Sequence, residues 1–181
     1  VLAEVDEQYE AFEFAKACDT LYHFAWDDVC DWYLELSKPV LTGADQAAAE
    51  PVRRVLGHVL DQLLRLLHPV IPFVTDELWT ALTGGESVMV AEWPAADLSW
   101  KDPAAELEVA TLQKVVTEVR RFRADQGLRP GQRVAARLTG LAAAGIGDHE
   151  SLVRSPARLD LPEGEFVATG TLAVTDQVTV E

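Results

Sequence analysis

Residues 56–79 read LGHVLDQLLRLLHPVIPFVTDELW and predict two helices joined by a tight break. In the first half, leucine and valine recur every three or four positions, which places them on one face of an α-helix. His68-Pro69 then ends that helix and Pro72 opens the next, because proline suits the first turn of a helix and not its interior. The stretch therefore predicts a helical hairpin within a larger helical bundle.

The same periodicity continues towards the N terminus. We predict one helix over residues 3–22 and a second over 26–37, with a break or kink near Trp26. Pro39 and Gly43 end the second helix, and a polar stretch follows. The first helix of the hairpin is predicted to begin at Glu50-Pro51.

Towards the C terminus the pattern changes character. Gly84-Gly85 ends the helix that Pro72 opens, and residues 86–100 are predicted to form an extended crossing segment. A long helix is predicted from Pro103 to about Gly127. Beyond it, alternating residues predict a strand, a short helix and further short β-type runs. These predicted elements cover residues 132–139 (strand), 148–154 (helix), and 159, 166–167, 172–174 and 178–180 (β-type runs).

The predicted fold class is mainly α. An antiparallel helix bundle is expected over residues 1–127, followed by a small C-terminal α/β appendage over 131–181 that we expect to be truncated at its C-terminal end. Since the chain opens on Val1 within a helical pattern, we interpret it as a piece of a longer protein.

Composition narrows the classes of protein that fit. Hydrophobic residues make up 49% of the chain and five are tryptophan, which favours a packed core over disorder. No apolar run approaches the roughly 20 residues of a membrane span, and no secretory signal is visible. Two cysteines are too few for a disulfide framework. We therefore expect a cytoplasmic monomer with no membrane partner.

The formal net charge of −15 at first argues against a nucleic-acid partner, because a negatively charged protein repels the phosphate backbone. The distribution changes that interpretation. Residues 1–50 hold two basic and twelve acidic residues, whereas residues 111–137 hold seven basic and two acidic ones. An acidic protein can still bind RNA if its basic residues gather on one face.

Catalytic residues are not identifiable in this sequence, and we predict none. It contains no glycine-rich phosphate loop and no nucleophile elbow, and its histidines have no evident orienting partner. A metal site built from Cys18, His23 and Cys30 is conceivable, but the spacing matches no zinc pattern, so no metal site is predicted. A metal-dependent hydrolase is the most distant of the functional alternatives.

The best candidates for RNA contact are arginines of the long predicted helix and the loop that follows it. Guanidinium groups grip phosphates with two parallel hydrogen bonds and stack on unpaired bases. The alternative is an exposed basic helix that pairs with the acidic N-terminal half, and charge alone does not decide between the two. The candidates are Arg120, Arg121, Arg123 and Arg129, together with Trp26 and Lys38 from the N-terminal region.

Aromatic residues at helical spacing over residues 22–33 are expected to build mainly core. Trp26, at the predicted kink, is the one that we expect to be presented to a base.

Four motifs in order resemble the anticodon-binding region of valyl-tRNA synthetases, which are class Ia enzymes. The element Cys30-Asp31-Trp32-Tyr33 favours this family over the isoleucyl and leucyl synthetases, which remain alternatives. The motifs are LYHFAWDDVCDWYLELSKP (21–39), the hairpin of 56–79, Ser87-Val88 with Trp93-Pro94, and RRFRADQGLRPG (120–131).

The resemblance implies that the chain holds the anticodon stem-loop of valine tRNA and positions it for a catalytic domain that lies elsewhere. That domain would activate valine with ATP and magnesium, and its motifs, the editing domain and the C-terminal coiled coil are all absent here. The resemblance also implies that the rest of the parent synthetase is a partner. From a different class, a structural or protein-interaction helical module stays open, and the acidity of the chain favours it.

Overall fold

The computed structural model describes all 181 residues, which form two compact units over Val1–Trp100 and Lys101–Glu181. The first unit is helical and the second combines helices with short strands, which confirms a mainly α fold with a small α/β part. The division between the compact units falls at residue 100, whereas the sequence placed a domain boundary at residues 127–131. None of the helices combines the length and apolar character that a membrane crossing requires.

The first unit consists of helical segments and connecting turns. Its core joins the helices Leu2–Glu10, Phe14–His23 and Gln46–Leu67 through the buried side chains of Val5, Leu21 and Leu66. The segments are α1 (Leu2–Glu10), α2 (Phe14–His23), a π-helix (Phe24–Leu34), α3 (Glu35–Leu41), α4 (Gln46–Leu67), α5 (Pro72–Thr83) and two 3-10 turns (Val88–Val90 and Leu98–Trp100).

The predicted single helix over residues 3–22 is wrong, because the chain reverses at Phe12. Phe12 has a φ of +58°, in the left-handed region, and no glycine or proline marks the position. The Phe12 and Glu13 amides donate to the carbonyls of Tyr9 and Gln8, which caps the end of α1. The reversal lets α1 and α2 pack against each other, so tertiary burial overrides the continuous helical periodicity.

The predicted break near Trp26 is also wrong. The chain stays helical from Phe14 to Leu41, and Trp26 lies in the π-helix between α2 and α3. The wider i→i+5 winding replaces a kink as the local departure from α geometry. Pro39 lies inside α3 and does not end it.

The predicted hairpin is confirmed. Pro72 opens α5 and Gly84, with a φ of +71°, ends it. The helix α4 begins earlier than predicted, because the Asp45 carboxylate accepts hydrogen bonds from the amides of Ala47 and Ala48 and caps it at 3.0 and 3.1 Å. Pro51 therefore sits inside α4 and does not start it.

A carboxylate on α4 fastens the two helices of the hairpin. The Asp61 carboxylate accepts a hydrogen bond from the Trp79 indole at 2.7 Å and forms an ion pair with Arg65. At the turn, Thr75 is 1% exposed, and its hydroxyl donates to the Ile71 carbonyl and lies 2.9 Å from Nδ1 of His68. These polar contacts fix the angle at which α5 leaves α4.

The second unit is built around α6 (Pro103–Asp125), which packs on α7 (Glu150–Ala157). Pro103 opens α6 as predicted, and the Asp102 carboxylate caps it. A 3-10 turn (Gly147–His149) precedes α7, and the strands are β1 (Val134–Ala135), β2 (Leu138–Thr139), β3 (Leu159–Asp160), β4 (Leu172–Ala173) and β5 (Thr179–Val180).

The strand predicted over residues 132–139 is divided in two, because the chain passes from one sheet to another. β1 pairs in parallel with β3, whereas β2 pairs antiparallel with β5, which also pairs with β4. Gly140 follows this crossing with a φ of +82°, and a Cβ there would lie 1.7 Å from the Gln177 carbonyl oxygen. The predicted β-type run at residues 166–167 forms no strand.

Candidate nucleic-acid interface

The C-terminal half of α6 determines where the predicted arginines lie. Val115, Val116 and Val119 are buried on its inner face, with exposures of 0, 0 and 2%. The helical spacing then leaves Arg120 and Arg121 exposed on the outer surface. The helix ends at Asp125, and the following turn carries Arg129, which is also exposed.

Arg123 is the exception among these arginines, because it is 6% exposed and its side chain is not available on the surface to contact an RNA backbone. Its guanidinium donates to the carbonyl of Gln132 and, at 3.4 Å, to that of Arg158. Burial, followed by the charges of Arg133 and Arg158, lowers the pKa of Arg123 from its ordinary value. Arg123 therefore ties α6 to the segments that carry β1 and β3.

A cavity of about 380 Å³ lies beside this buried arginine in the second unit. It joins the end of α6, the turn after it and the end of α7. None of the side chains around it is a carboxylate. The lining residues are Arg120, Arg123, Ala124, Leu128, Arg129, Pro130, Pro156, Ala157 and Arg158.

Two of the predicted arginines therefore reach the cavity from accessible positions. The Arg120 Nε donates to the Pro156 carbonyl at 3.1 Å, which holds its guanidinium towards the end of α7. Arg129 makes no side-chain hydrogen bond or ion pair. We call the exposed arginines of this region, Arg120, Arg129 and Arg158, together with the cavity that they line, the arginine pocket.

The other predicted contact residues lie outside the arginine pocket. Arg121 pairs with Glu118 one turn earlier on α6 at 2.7 Å, and its side chain is 70% exposed. Lys38 lies on α3 in the first unit, is exposed and forms an ion pair with Glu35. Trp26 lies in the π-helix of the first unit and is 57% exposed, so its indole is accessible as expected for a stacking residue.

Sequence reasoning missed Arg158, which lines the same cavity. Arg158 ends α7 with a φ of +56° and a ψ of +45°, a left-handed conformation that is usual for glycine at this position. It escaped notice because residues 138–181 carry a net negative charge. The only sequence signal is a basic residue four positions after the end of the helix predicted over residues 148–154.

The cysteine and histidine cluster considered from the sequence forms no metal centre. No three His, Cys, Asp or Glu side chains converge in a way that could hold a metal ion. His23 instead contacts Asp27 at 2.8 Å and Asp19 at 3.7 Å, and the hydrogen bond to Asp27 is the main cause that raises its pKa. Cys18 and Cys30 are both free.

Comparison with known proteins places these features in a family. The family model described as anticodon-binding domain of tRNA ligase matches residues 1–138. Valine–tRNA ligase of Streptomyces coelicolor is 61% identical over 175 residues, which cover 96% of this chain and 20% of that protein. The proteins of the same name from Nocardia farcinica and Mycobacterium tuberculosis are 54 and 47% identical, over 96% of this chain and 19% of each relative.

The chain thus spans about a fifth of the length of the curated relatives that it matches. The family match covers the whole first unit, α6 and the turn after it. It therefore includes three of the four arginines around the cavity and all the residues predicted to contact RNA. The resemblance found in the sequence is confirmed, and the chain belongs to the family of anticodon-binding domains of tRNA ligases.

Proposed function

We propose that this chain binds the anticodon arm of valine tRNA and positions that tRNA for a valine–tRNA ligase of which it forms a part. The names of the relatives and the fraction of each that the chain covers support this proposal. The ligase reaction, with its ATP and magnesium, belongs in this proposal to the rest of the protein. We also propose that the protein is a cytoplasmic monomer.

The arginine pocket is the observation that carries the proposal. Arg120, Arg129 and Arg158 are exposed around one cavity that has no carboxylate in its lining, in a chain with a net charge of −15. A concave surface of this kind concentrates positive potential locally and attracts a polyanion despite the net charge. In this proposal Arg120, Arg121 and Arg129 contact the backbone, Arg123 positions the pocket, and Trp26 and Lys38 add contacts from the first unit.

A binding titration tests the proposal. Arg129→Gln is expected to weaken valine tRNA binding about tenfold and to lower the slope of log affinity against log salt by about one. The matched control is Arg53→Gln on α4, which removes one positive charge from an exposed position outside the pocket. Equal affinities for the two variants would refute the role of Arg129.

A second surface favours a packing role for part of the first unit. Several large apolar side chains are exposed at the hairpin turn and at the α1–α2 reversal, including Phe73 at 92% and Phe12 at 79%. Exposed apolar patches mark sites of contact with other protein surfaces. In the proposed function this surface contacts the rest of the ligase. A purely structural module would contact another protein surface in the same way but would not bind tRNA.

A further inference from the structure

We infer that a cavity at the reversal between α1 and α2 binds the guanidinium group of an arginine that another protein surface presents. The site deepens the proposed function, on which it rests only for placing that surface in the rest of the ligase. It shares no residue with the arginine pocket, and none of the residues proposed to contact RNA belongs to it.

Three aromatic rings form the wall of this cavity, which measures about 760 Å³ and lies wholly within the first unit. The centroid of the Tyr9 ring lies 5.8 Å from that of Trp93 and 6.1 Å from that of Phe14. Trp93 and Phe14 are 44 and 55% exposed, so an entering group can reach both rings. We call this cavity the aromatic socket, and the rest of its lining is Asp6, Glu10, Cys18, Pro69 and Val70.

Hydrogen bonds hold two of the rings in place. The Trp93 indole donates to the Asp6 carboxylate at 2.7 Å, which ties the segment after α5 to α1. The Tyr9 hydroxyl donates to the Leu66 carbonyl at 3.4 Å. The wall is therefore formed before any ligand arrives, and binding costs little side-chain freedom in the protein.

The aromatic socket carries negative charge that no basic side chain in its lining offsets. Asp6 and Glu10 lie one turn apart on α1, a spacing at which like charges repel. Glu10 makes no hydrogen bond or ion pair, and Asp6 uses one carboxylate oxygen for the Trp93 indole. The surrounding segment has the same sign, since residues 1–50 hold two basic and twelve acidic residues.

Two basic side chains near the socket are paired with other carboxylates. Lys16 on α2 pairs with Glu13 at 2.7 Å. Arg65 on α4 forms an ion pair with Asp61 and donates to the Glu92 carbonyl. A cation that enters the socket therefore relieves the repulsion between its carboxylates and displaces no internal ion pair.

Among the cationic groups of proteins, guanidinium matches the socket best. It is planar and weakly hydrated, so it stacks on aromatic rings, and the N–H groups at its edge donate to carboxylates. An ammonium group is more strongly hydrated and has no plane that could stack. The combination of aromatic wall and carboxylate rim thus favours arginine over lysine.

The surroundings of the socket favour a protein as the partner. Val70 in the lining is followed by Ile71 and Phe73, which are 43 and 92% exposed. Phe12, which is 79% exposed, packs edge-on against Phe14 with ring centroids 6.0 Å apart. A small free cation would fill the socket and leave these side chains in water, whereas a protein surface covers both. Arginine is also among the residues enriched at the centres of protein interfaces.

The first test measures how far Cys18, which lines the socket, is protected from alkylation by iodoacetamide in the 181-residue chain. Cys30 is exposed, lies outside the socket and serves as the control within the same molecule. The probes are a blocked Leu-Arg-Leu peptide and its citrulline counterpart, which keeps the shape of the side chain and loses the charge. Saturating arginine peptide is expected to slow alkylation of Cys18 at least about fivefold and to leave Cys30 unchanged, whereas the citrulline peptide should slow it less than about twofold.

The second test removes the carboxylate charges singly. Glu10→Gln is expected to raise the concentration of arginine peptide that gives half-protection about threefold, and so is Asp6→Asn, which keeps an oxygen acceptor for the Trp93 indole. The matched control is Glu7→Gln, which removes one charge from an exposed position on α1 outside the socket and should change that concentration less than about 1.5-fold. Far-UV circular dichroism checks that each variant is folded.

Three results would overturn the inference. Equal protection by the citrulline and arginine peptides would show an apolar groove that does not recognise charge. Protection by choline at the same concentration as by the arginine peptide would show a site for small organic cations instead of a protein surface. Equal effects of Glu10→Gln and Glu7→Gln would show that the socket carboxylates do not bind the guanidinium.

The whole ligase locates the partner and separates the two proposals. Alkylation of Cys18 is expected to be slower in the ligase than in the 181-residue chain, and equal rates would overturn the placement of the arginine in the rest of the ligase. If the arginine peptide protects Cys18 but tRNA binding shows no preference for the valine anticodon, the proposed function is wrong and the aromatic socket stands. If the anticodon preference holds and the peptide gives no protection, the aromatic socket is wrong and the proposed function stands.

Discussion

Replacing Arg123 by methionine tests the role of the buried guanidinium in the second unit. The Arg123 side chain, 6% exposed, donates to the carbonyls of Gln132 and Arg158. Hydrogen bonds from a charged donor contribute about 1.5–3 kcal/mol each, and part of this is offset because methionine no longer buries a charge. We expect Arg123→Met to lower the free energy of unfolding of the second unit by about 2–4 kcal/mol.

The distribution of aromatic residues makes the assay selective. All five tryptophans lie within residues 1–100, at positions 26, 32, 79, 93 and 100. Tryptophan fluorescence therefore reports the first unit, whereas far-UV circular dichroism reports the helices of both. With a urea dependence of about 2 kcal/mol per molar, the dichroism transition of the second unit should move down by about 1–2 M while the fluorescence midpoint stays in place.

The matched control is Arg121→Met, two residues earlier on the same helix. Arg121 is 70% exposed and pairs only with Glu118, so its replacement should change stability by less than about 0.5 kcal/mol. If Arg123→Met shifts the dichroism transition no more than Arg121→Met does, Arg123 is not a structural tie. It would then return to the set of RNA contacts predicted from the sequence.

Two further predictions concern the first unit. Asp61→Ala leaves the Trp79 indole and the Arg65 guanidinium without their shared carboxylate. We expect this change to lower the free energy of unfolding by about 1.5–3 kcal/mol, measured by urea unfolding followed by tryptophan fluorescence. An unchanged unfolding midpoint would show that this contact does not stabilise the hairpin. Hydrogen bonds from Ser87 and then the Val88 amide hold the pKa of Asp76 below its ordinary 3.8. The stability that they contribute is present above that value and is lost as pH falls through the lowered pKa. The protection of the Val88 amide proton from exchange, relative to an unfolded chain at the same pH, should therefore decrease as pH falls through that lowered pKa, and an NMR titration of Asp76 at its ordinary pKa would contradict this.

The hairpin and the long helix α6 were predictable because local chemistry and tertiary structure agree there. Pro72, Gly84 and Pro103 stand where the helices begin or end, and apolar residues recur at helical spacing between them. The reversal at Phe12 was not predictable, because the residue adopts a left-handed conformation with no glycine to signal it. Packing of α1 on α2 and α4 supplies the stabilisation that local sequence does not show.

The candidate site was predictable in part. The basic segment indicated the right helix, since helical spacing alone brings Arg120 to the outer surface. Periodicity did not show that Arg123 is buried, because its acceptors, the carbonyls of Gln132 and Arg158, come from chain segments that only the tertiary structure brings close. Arg158 was missed because it lies in an acidic segment, residues 138–181, and because only the tertiary structure brings it to the end of α6 from 35 residues away along the chain.

The strand assignments show the limit of periodicity in short segments. Alternation over residues 132–139 predicted one strand, but β1 and β2 belong to different sheets. The alternation records which side chains are buried and carries no information about which partner strand each half pairs with. Such partners are set by the return of the chain over residues 159–180.

The anticodon preference of tRNA binding decides whether the chain recognises the anticodon arm of valine tRNA. The dissociation constant should be measured at one salt concentration for valine tRNA and for the same tRNA with a substituted anticodon, using both this chain and the whole ligase. The substituted tRNA is expected to bind at least about tenfold more weakly to each, a difference of about 1.4 kcal/mol. Equal affinities of the two tRNAs would contradict it.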